Sequence, residues 1–171
     1  MPLSYKPNWQ ETQEHFLGWW QQEDLILCGS ALPRETPRES VADPGEAPDA
    51  TFFYTQPEWK ARWNHHRLAN QIFLADVMPV ATTDIGPGSL ALYLGGEACL
   101  SWETVWYEPM IDPEDPERDP PLRFDPDSRW WRIQEQTLQA CAALAEGKYA
   151  VGCPDIRSEE HTSELQSLLI I

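Results

Sequence analysis

Residues 72–80 read IFLADVMPV, a short apolar run interrupted by one carboxylate, that of Asp76. A continuous apolar run of this length is typical of a strand buried on both faces, as in parallel sheets. We therefore predict a strand over residues 75–82. A carboxylate in such surroundings must be paired or hydrogen-bonded, so Asp76 is the first candidate for a catalytic group. An equally supported alternative is that Asp76 caps backbone amides at the start of the strand.

The chain on either side of this run alternates between helical and strand patterns. Residues 24–30 and 149–155 are similar short apolar runs, which we expect to be the first and third strands. Asn8 with Glu11 resembles a capping box, Pro57 suits a first helical turn, and Gly147 suits a helix end. Together with hydrophobic periodicity, these signals predict helices over residues 8–22, 55–74, 90–94 and 128–146, and an extended segment over 104–110.

This order of elements predicts an α/β fold built from parallel β/α units. A complete (β/α)8 TIM barrel takes about 250 residues, whereas this chain has 171. The fold class we expect is therefore an incomplete (β/α)8 TIM barrel, comprising about the first three β/α units. The proline-rich residues 31–50 would be a long excursion or a lid.

The last fifteen residues have an unusual sequence. Residues 157–167, RSEEHTSELQS, resemble the translation of a common sequencing-library adapter. An amphipathic terminal helix is the alternative. We expect residues 1–156 to be the amino-terminal part of the barrel and residues 157–171 to be an adapter-derived artefact.

The composition excludes several classes of partner. A formal net charge of −16 repels phosphate groups, so we expect neither a nucleic-acid nor a membrane-surface partner. The first residues lack the basic and apolar regions of a secretory signal, and no apolar run approaches the roughly 18 residues of a membrane span. The four cysteines have no CxxC spacing and are expected to be reduced thiols. These features together predict a cytoplasmic protein.

The predicted topology indicates where a site would lie. Parallel β/α folds bind their substrates at the carboxyl ends of the strands. Arg34 after the first strand, Asp84 after the second, and Cys153 with Asp155 after the third are therefore candidate substrate-binding residues, and Asp76 is the candidate catalytic residue.

Residues 68–111 resemble the second β/α segment of the uroporphyrinogen decarboxylase superfamily, and a weaker likeness covers residues 24–155. The pentapeptide LADVM at residues 74–78 stands in place of that family's F-S-D-I-L motif, and Asp76 matches the motif's aspartate. The resemblance implies a barrel in which Asp76 faces the substrate and accepts hydrogen bonds from it.

The segment after the first strand departs from the decarboxylases of that family. They carry an R-Q-A-G-R motif there, whereas this chain has Cys28-Gly29-Ser30. The resemblance is therefore closer to the corrinoid-dependent methyltransferases of the superfamily, which take a small-molecule substrate or a corrinoid protein as partner. These enzymes use zinc to hold a thiolate. The zinc ligands would lie beyond residue 156, so we expect no metal or cofactor site within residues 1–156.

The sequence also fits three other functions. A true uroporphyrinogen decarboxylase is one, and a carbohydrate-active hydrolase that pairs Glu108 with Asp76 or Asp84 is another. A small Trp-rich ligand-binding module is a third. His65 and His66 are adjacent on a helix and point about 100° apart, so packing or solvent contact is favoured over joint metal binding. Gly86-Pro87-Gly88 lacks the spacing of a nucleotide-binding loop and is predicted to be a turn.

Overall fold

The computed structural model describes residues 2–112, 114, 115, 118, 121–154 and 156. The fold is mixed α/β, with helices and small two-stranded sheets, and the described residues form no closed barrel. The chain divides into two compact units. The first contains the chain up to Gly45 with Glu58–Thr82 and Gln139–Gly152, and the second contains Glu46–Pro57 and Thr83–Leu138 with the described residues after Gly152.

The described residues contain five helices and six short strands. The helices are α1 (Trp9–Trp20), α2 (Ala50–Thr55), α3 (Pro57–Ala69), α4 (Leu90–Tyr93) and α5 (Arg129–Ala145). The strands are β1 (Leu32–Pro33), β2 (Gln71–Ile72), β3 (Val80–Ala81), β4 (Ala98–Leu100), β5 (Val105–Tyr107) and β6 (Ala150–Val151).

Among the described residues, one of the three two-stranded sheets is parallel. β3 pairs with β6 in the register Val80↔Ala150 and Ala81↔Val151. The amide of Ala150 donates to the Pro79 carbonyl and that of Gly152 to the Ala81 carbonyl, both at 2.9 Å. β1 pairs antiparallel with β2, and β4 forms an antiparallel hairpin with β5. The predicted parallel β/α character is thus present in one strand pair.

Each unit has its own hydrophobic core. The first core comprises Tyr5, Ala61, Leu68, Ala69, Phe73, Ala81, Cys141, Ala145 and Tyr149. The second comprises Ile85, Leu92, Tyr93 and Trp130, with Tyr54, Leu100, Tyr107 and Trp131 packed against them. Burial raises the pKa of the Cys141 thiol to about 11, so this cysteine is an unreactive core residue.

Most of the predicted helices are confirmed within a few residues. α1, α4 and α5 lie inside their predicted ranges, and α3 begins at Pro57 but ends five residues early, because β2 follows it. Gly147 has a φ of 65°, the left-handed conformation that commonly follows a helix. Asn8 occupies the position before α1 without a side-chain capping bond, so the predicted capping box is wrong. α2 was not predicted; the Asp49 side chain caps it by accepting from the Phe52 amide at 2.7 Å.

The prediction for residues 24–30 is wrong, because they form no strand. Leu25 is 75% exposed. The amide and carbonyl of Leu27 bond to Asp76 rather than to a neighbouring strand. An apolar run specifies a buried strand only where partner strands are available to cover it.

The other predicted strands are present, but they are shorter than predicted. β3 and β6 occupy two residues each of the predicted 75–82 and 149–155, and β5 lies within 104–110. The partner strands β2 and β4 were not predicted. The part of the predicted excursion up to Gly45 belongs to the first unit, where the amides of Arg34 and Arg38 donate to the Asn70 and Ala69 carbonyls at 2.9 and 3.0 Å.

Within the described part of the chain, no helix has the length and apolar character required to cross a membrane. The proposed artefact at residues 157–171 lies outside the described residues.

Candidate functional site

Asp76 lies in a turn that precedes β3. Ala75, immediately before it, has a φ of 45°, which is uncommon for a residue with a side chain. The Ala75 carbonyl accepts from Asn8 Nδ2 at 3.2 Å and Thr12 Oγ1 at 3.4 Å, and also from Lys6 Nζ. These contacts hold the unusual turn against the start of α1.

Both carboxylate oxygens of Asp76 are engaged, and the residue is only 2% exposed. Oδ1 lies 2.8 Å from His15 Nδ1, and Oδ2 accepts from the Leu27 amide at 2.8 Å. The Leu27 hydrogen bond, aided by His15 and by the charge of Lys6, keeps the pKa of Asp76 below its ordinary value despite burial. Asp76 is therefore an ionised, fully hydrogen-bonded group.

His15 is the exposed member of this pair, with 36% of its side chain accessible. The hydrogen bond to Asp76 raises the pKa of the imidazole above its ordinary value of 6.5. A carboxylate at Nδ1 orients the ring and leaves Nε2 to exchange protons with another group. The His15–Asp76 pair thus has the arrangement of a proton donor or acceptor that works near neutral pH.

Lys6 is a second buried charge beside Asp76. It is 1% exposed, and its Nζ donates to the carbonyls of Phe73, at 3.2 Å, and of Ala75. Burial lowers the pKa of Lys6, and the nearby charges of Asp76 and Glu11 oppose that shift. Asp76 is therefore not a lone buried acid, because Lys6 places a positive charge near it.

A small apolar cavity of about 230 Å³ adjoins this cluster. Leu27 and Ala75, which contact or flank Asp76, line it together with Cys28, Gly29, Ser30, Leu32, Leu74 and Val77. Asp76 is not among the lining residues, and its oxygens face His15 and Leu27. Its direct contact with a substrate stays a prediction.

The structure does not gather the predicted site residues into one cluster. Asp76 precedes β3, whereas Asp84 follows that strand and Cys153 follows β6. Arg34 follows β1, which pairs with the antiparallel β2 and not with the parallel strands. Asp155 lies outside the described residues.

Asp84 and Cys153 are accessible to different degrees. Asp84 is half-buried and Cys153 is exposed. Burial, together with the charge of Asp84, raises the pKa of Tyr93 to about 12, and the Tyr93 hydroxyl donates to Gln134 Oε1 at 3.0 Å. The charge of Asp84 thus contributes to the raised pKa of Tyr93.

Arg34 lies in a larger cavity of about 440 Å³, which sequence reasoning did not anticipate. Its other lining residues are Ser4, Tyr5, Arg38, Glu39 and Lys148. Glu39 accepts from the Tyr5 hydroxyl and lies 3.2 Å from Lys148 Nζ. This cavity brings three cationic side chains together in a strongly acidic chain.

The two adjacent histidines have different environments. His65 is buried, and its Nδ1 lies 2.9 Å from the Tyr149 hydroxyl. Burial lowers its pKa, which favours the neutral form of the ring. His66 is partly exposed. The prediction that packing would outweigh joint metal binding agrees with this placement.

Two further groups bear on the alternative functions. Glu108 is exposed after β5, and Trp102 and Trp106 of the β4–β5 hairpin are exposed as well. Gly86-Pro87-Gly88 forms the predicted turn. The residues that the structure describes contain no group of three or more His, Cys, Asp or Glu side chains that could hold a metal ion.

The chain matches no family model, no curated protein and no solved structure.

Sequence reasoning missed His15, Lys6 and the second cavity. His15 and Asp76 are 61 residues apart, and Tyr5 and Glu39 are 34 apart. Local periodicity carries no information about such long-range pairs. The one usable signal was Asp76 itself, because a carboxylate in an apolar run requires a partner.

Proposed function

We propose that this chain supplies the opening β/α units of a (β/α)8-barrel enzyme related to the uroporphyrinogen decarboxylase superfamily, and that the enzyme catalyses methyl transfer between a corrinoid protein and a thiol. The observation that carries this proposal is the parallel pairing of β3 with β6. Parallel strands require a crossover connection, and the chain between these two contains α4 and α5.

The proposed substrate contacts follow from this pairing. Substrates of parallel β/α enzymes bind beyond the carboxyl ends of the strands, and Asp84 and Cys153 follow β3 and β6. Asp76 precedes β3, so the His15–Asp76 pair is not part of this set of contacts. Its proposed role is separate: proton exchange at the exposed His15 imidazole, which Asp76 orients.

Methyl transfer is preferred to decarboxylation because the sequence lacks the R-Q-A-G-R motif of the decarboxylases, and Cys28-Gly29-Ser30 takes its place in the sequence resemblance. In the family that the sequence resembles, the zinc ligands lie late in the barrel, so a thiol-activating zinc would take its ligands from sequence after residue 156. The roles proposed for Asp76, His15, Asp84 and Cys153 do not depend on that ion.

An intact genomic copy of the coding sequence provides the first test. We expect it to encode further β/α units and a His/Cys ligand set after residue 156. Natural termination near that residue, with no further units, would contradict the barrel proposal.

The product of that gene then tests the reaction. We expect it to demethylate methylcobalamin in the presence of a thiol, followed by the change in visible absorbance, and to release no CO2 from uroporphyrinogen. Asp84→Asn should lower kcat/KM by about tenfold or more, because a charge-assisted contact is lost. Glu108→Gln is the matched control.

The other outcomes separate the alternatives. CO2 release without methyl transfer would favour a decarboxylase. A loss of activity on oligosaccharides in Glu108→Gln alone would favour a carbohydrate-active hydrolase. Equal activity of the Asp84→Asn variant and the wild type would contradict the assigned substrate contact.

A further inference from the structure

The larger cavity of the first unit has an unusual charge. It has a volume of about 440 Å³, within the range of about 300–1,000 Å³ that is typical of small-molecule sites. Arg34, Arg38 and Lys148 line it, and Glu39 is the one carboxylate among its lining residues. The chain as a whole has a net charge of −16. Three positive side chains around one cavity of an acidic chain indicate a site for an anion.

The two arginines have no carboxylate partner within the described ranges. Arg34 Nε donates to the Thr36 carbonyl at 2.9 Å, and Arg38 Nη2 donates to the Gln71 carbonyl at 3.3 Å. Arg38 Nε is buried with no hydrogen-bond partner among the residues described. A buried, unpaired guanidinium nitrogen is costly unless a ligand satisfies it.

Packing holds Arg38 in place. Its guanidinium carbon lies 5.4 Å from the Tyr5 ring centre and 5.9 Å from that of Phe73. Burial lowers the pKa of Arg38, and the charge of Arg34 lowers it further. Arg34 and Arg38 repel each other, and a bound oxyanion would reduce that repulsion.

Glu39 does not neutralise the arginines, because other groups already occupy it. It accepts from the Tyr5 hydroxyl, and its Oε1 lies 3.2 Å from Lys148 Nζ and 3.5 Å from His65 Nε2. The hydrogen bond from Tyr5 keeps the pKa of Glu39 below its ordinary value. Glu39 and Lys148 therefore form one wall of the cavity, and the guanidinium groups remain available to a ligand.

We propose that this cavity is a binding site for a small molecule bearing a carboxylate or phosphate group, with Arg34 and Arg38 as its charge partners. The residues that line this cavity have no role in the reaction proposed above, which uses Asp84, Cys153 and the His15–Asp76 pair. The anion site is thus an additional site, and it does not depend on the proposed reaction.

Calorimetric titration of the full chain at low ionic strength and pH 7 tests this site. The probes are inorganic phosphate and succinate, with chloride as the ionic-strength control. We expect saturable binding of one equivalent of at least one probe, and the better probe identifies the anion class. Arg34→Gln should weaken that binding about tenfold, as expected for one charge-assisted contact.

Two further variants control for general effects. Arg62→Gln changes an exposed arginine of α3 and should leave binding unchanged. Glu39→Gln removes the negative charge from the wall and should tighten binding, which is the opposite of what a damaged fold would produce. Thermal unfolding of each variant shows whether it is folded. If Glu39→Gln does not fold, the proposal is tested by comparing the anion affinities of Arg34→Gln and Arg62→Gln. Absence of saturable binding of both probes, or equal weakening by Arg34→Gln and Arg62→Gln, would overturn the proposal.

Discussion

At the residue scale, the charge on Asp76 is tolerated in a position that is only 2% exposed because both of its oxygens have partners. The Leu27 amide and the His15 imidazole provide these partners, and Lys6 adds a nearby positive charge. Removing one member of such a group leaves the others buried and unpaired, which costs more than the intact arrangement contributes. Asp76 and His15 should therefore be tested as a pair.

The first prediction concerns the titration of His15. Because the hydrogen bond to Asp76 raises its pKa above 6.5, Asp76→Asn should return that pKa toward 6.5. Imidazole proton shifts in NMR spectra recorded over a pH series measure this directly. The pKa of His65, which burial lowers, serves as the internal control and should not change. An unaltered His15 pKa in the variant would show that the two side chains do not interact in solution.

The second prediction concerns stability as a function of pH. His15 has a raised folded-state pKa, so its contribution is complete below 6.5 and is lost as the pH rises through its folded value. Asp76 has a lowered pKa, so its contribution is present above 3.8 and is lost as the pH falls below that value. The pair therefore stabilises the fold most between pH 3.8 and 6.5.

Urea unfolding of wild type and His15→Gln over a pH series checks this. The difference in free energy of unfolding should be largest near the middle of that interval and should shrink as the pH rises well above 6.5. Because other titrating groups are common to both proteins, their effects cancel in the difference. If the difference in free energy of unfolding between wild type and His15→Gln does not change with pH, the charge of the imidazole does not contribute to the His15–Asp76 contact.

At the element scale, turns and caps determine where the short strands and helices begin and end. Gly147 follows α5 with a φ of 65°, and Asp49 caps α2. Gly86 is the most constrained of these positions. Its φ is 86°, and an added Cβ would lie 2.6 Å from Val105 Cβ of β5. The turn at residues 86–88 thus requires glycine for its backbone conformation and for its approach to the hairpin.

The third prediction compares two glycines. Gly86→Ala should reduce the free energy of unfolding by about 2–4 kcal/mol, because left-handed strain adds to overpacking against Val105. Gly45→Ala is the matched control: its φ is 77° but no atom lies within 4 Å of the added Cβ. The control should lose only about 1 kcal/mol. Equal losses, measured by urea unfolding, would show that the contact with Val105 has no energetic consequence.

Local signals predicted the elements that depend on local chemistry. Pro57 placed the start of α3 and Gly147 the end of α5, because both residues act through their own backbone conformation. The failed strand at residues 24–30 had the required apolar pattern but no neighbouring strand to pair with. Partner choice depends on residues distant in the chain, and a single sequence does not reveal it.

In the candidate site, too, the sequence predicted the feature that depends on local chemistry and missed those that depend on distant residues. Asp76 was found because a carboxylate in an apolar run is locally anomalous. Its partner His15 and the cavity containing Arg38 and Glu39 depend on contacts across tens of residues, for which the chain offers no local signal.

At the scale of the whole molecule, the proposed β/α architecture depends on the parallel pairing of β3 and β6. The other two sheets are antiparallel and fit many fold classes. The proposed positions of Asp84 and Cys153 at a substrate site both depend on this pairing. The acidic surface, with a net charge of −16, bears on partners rather than on the fold.

Amide hydrogen exchange, combined with interstrand nuclear Overhauser effects, is therefore the most direct test. We predict that the amides of Ala150 and Gly152, which donate to Pro79 and Ala81, exchange slowly, and that the cross-peaks between β3 and β6 follow the parallel register Val80↔Ala150. Rapid exchange at both amides, or an antiparallel pattern of cross-peaks, would contradict the β/α architecture and the function proposed from it.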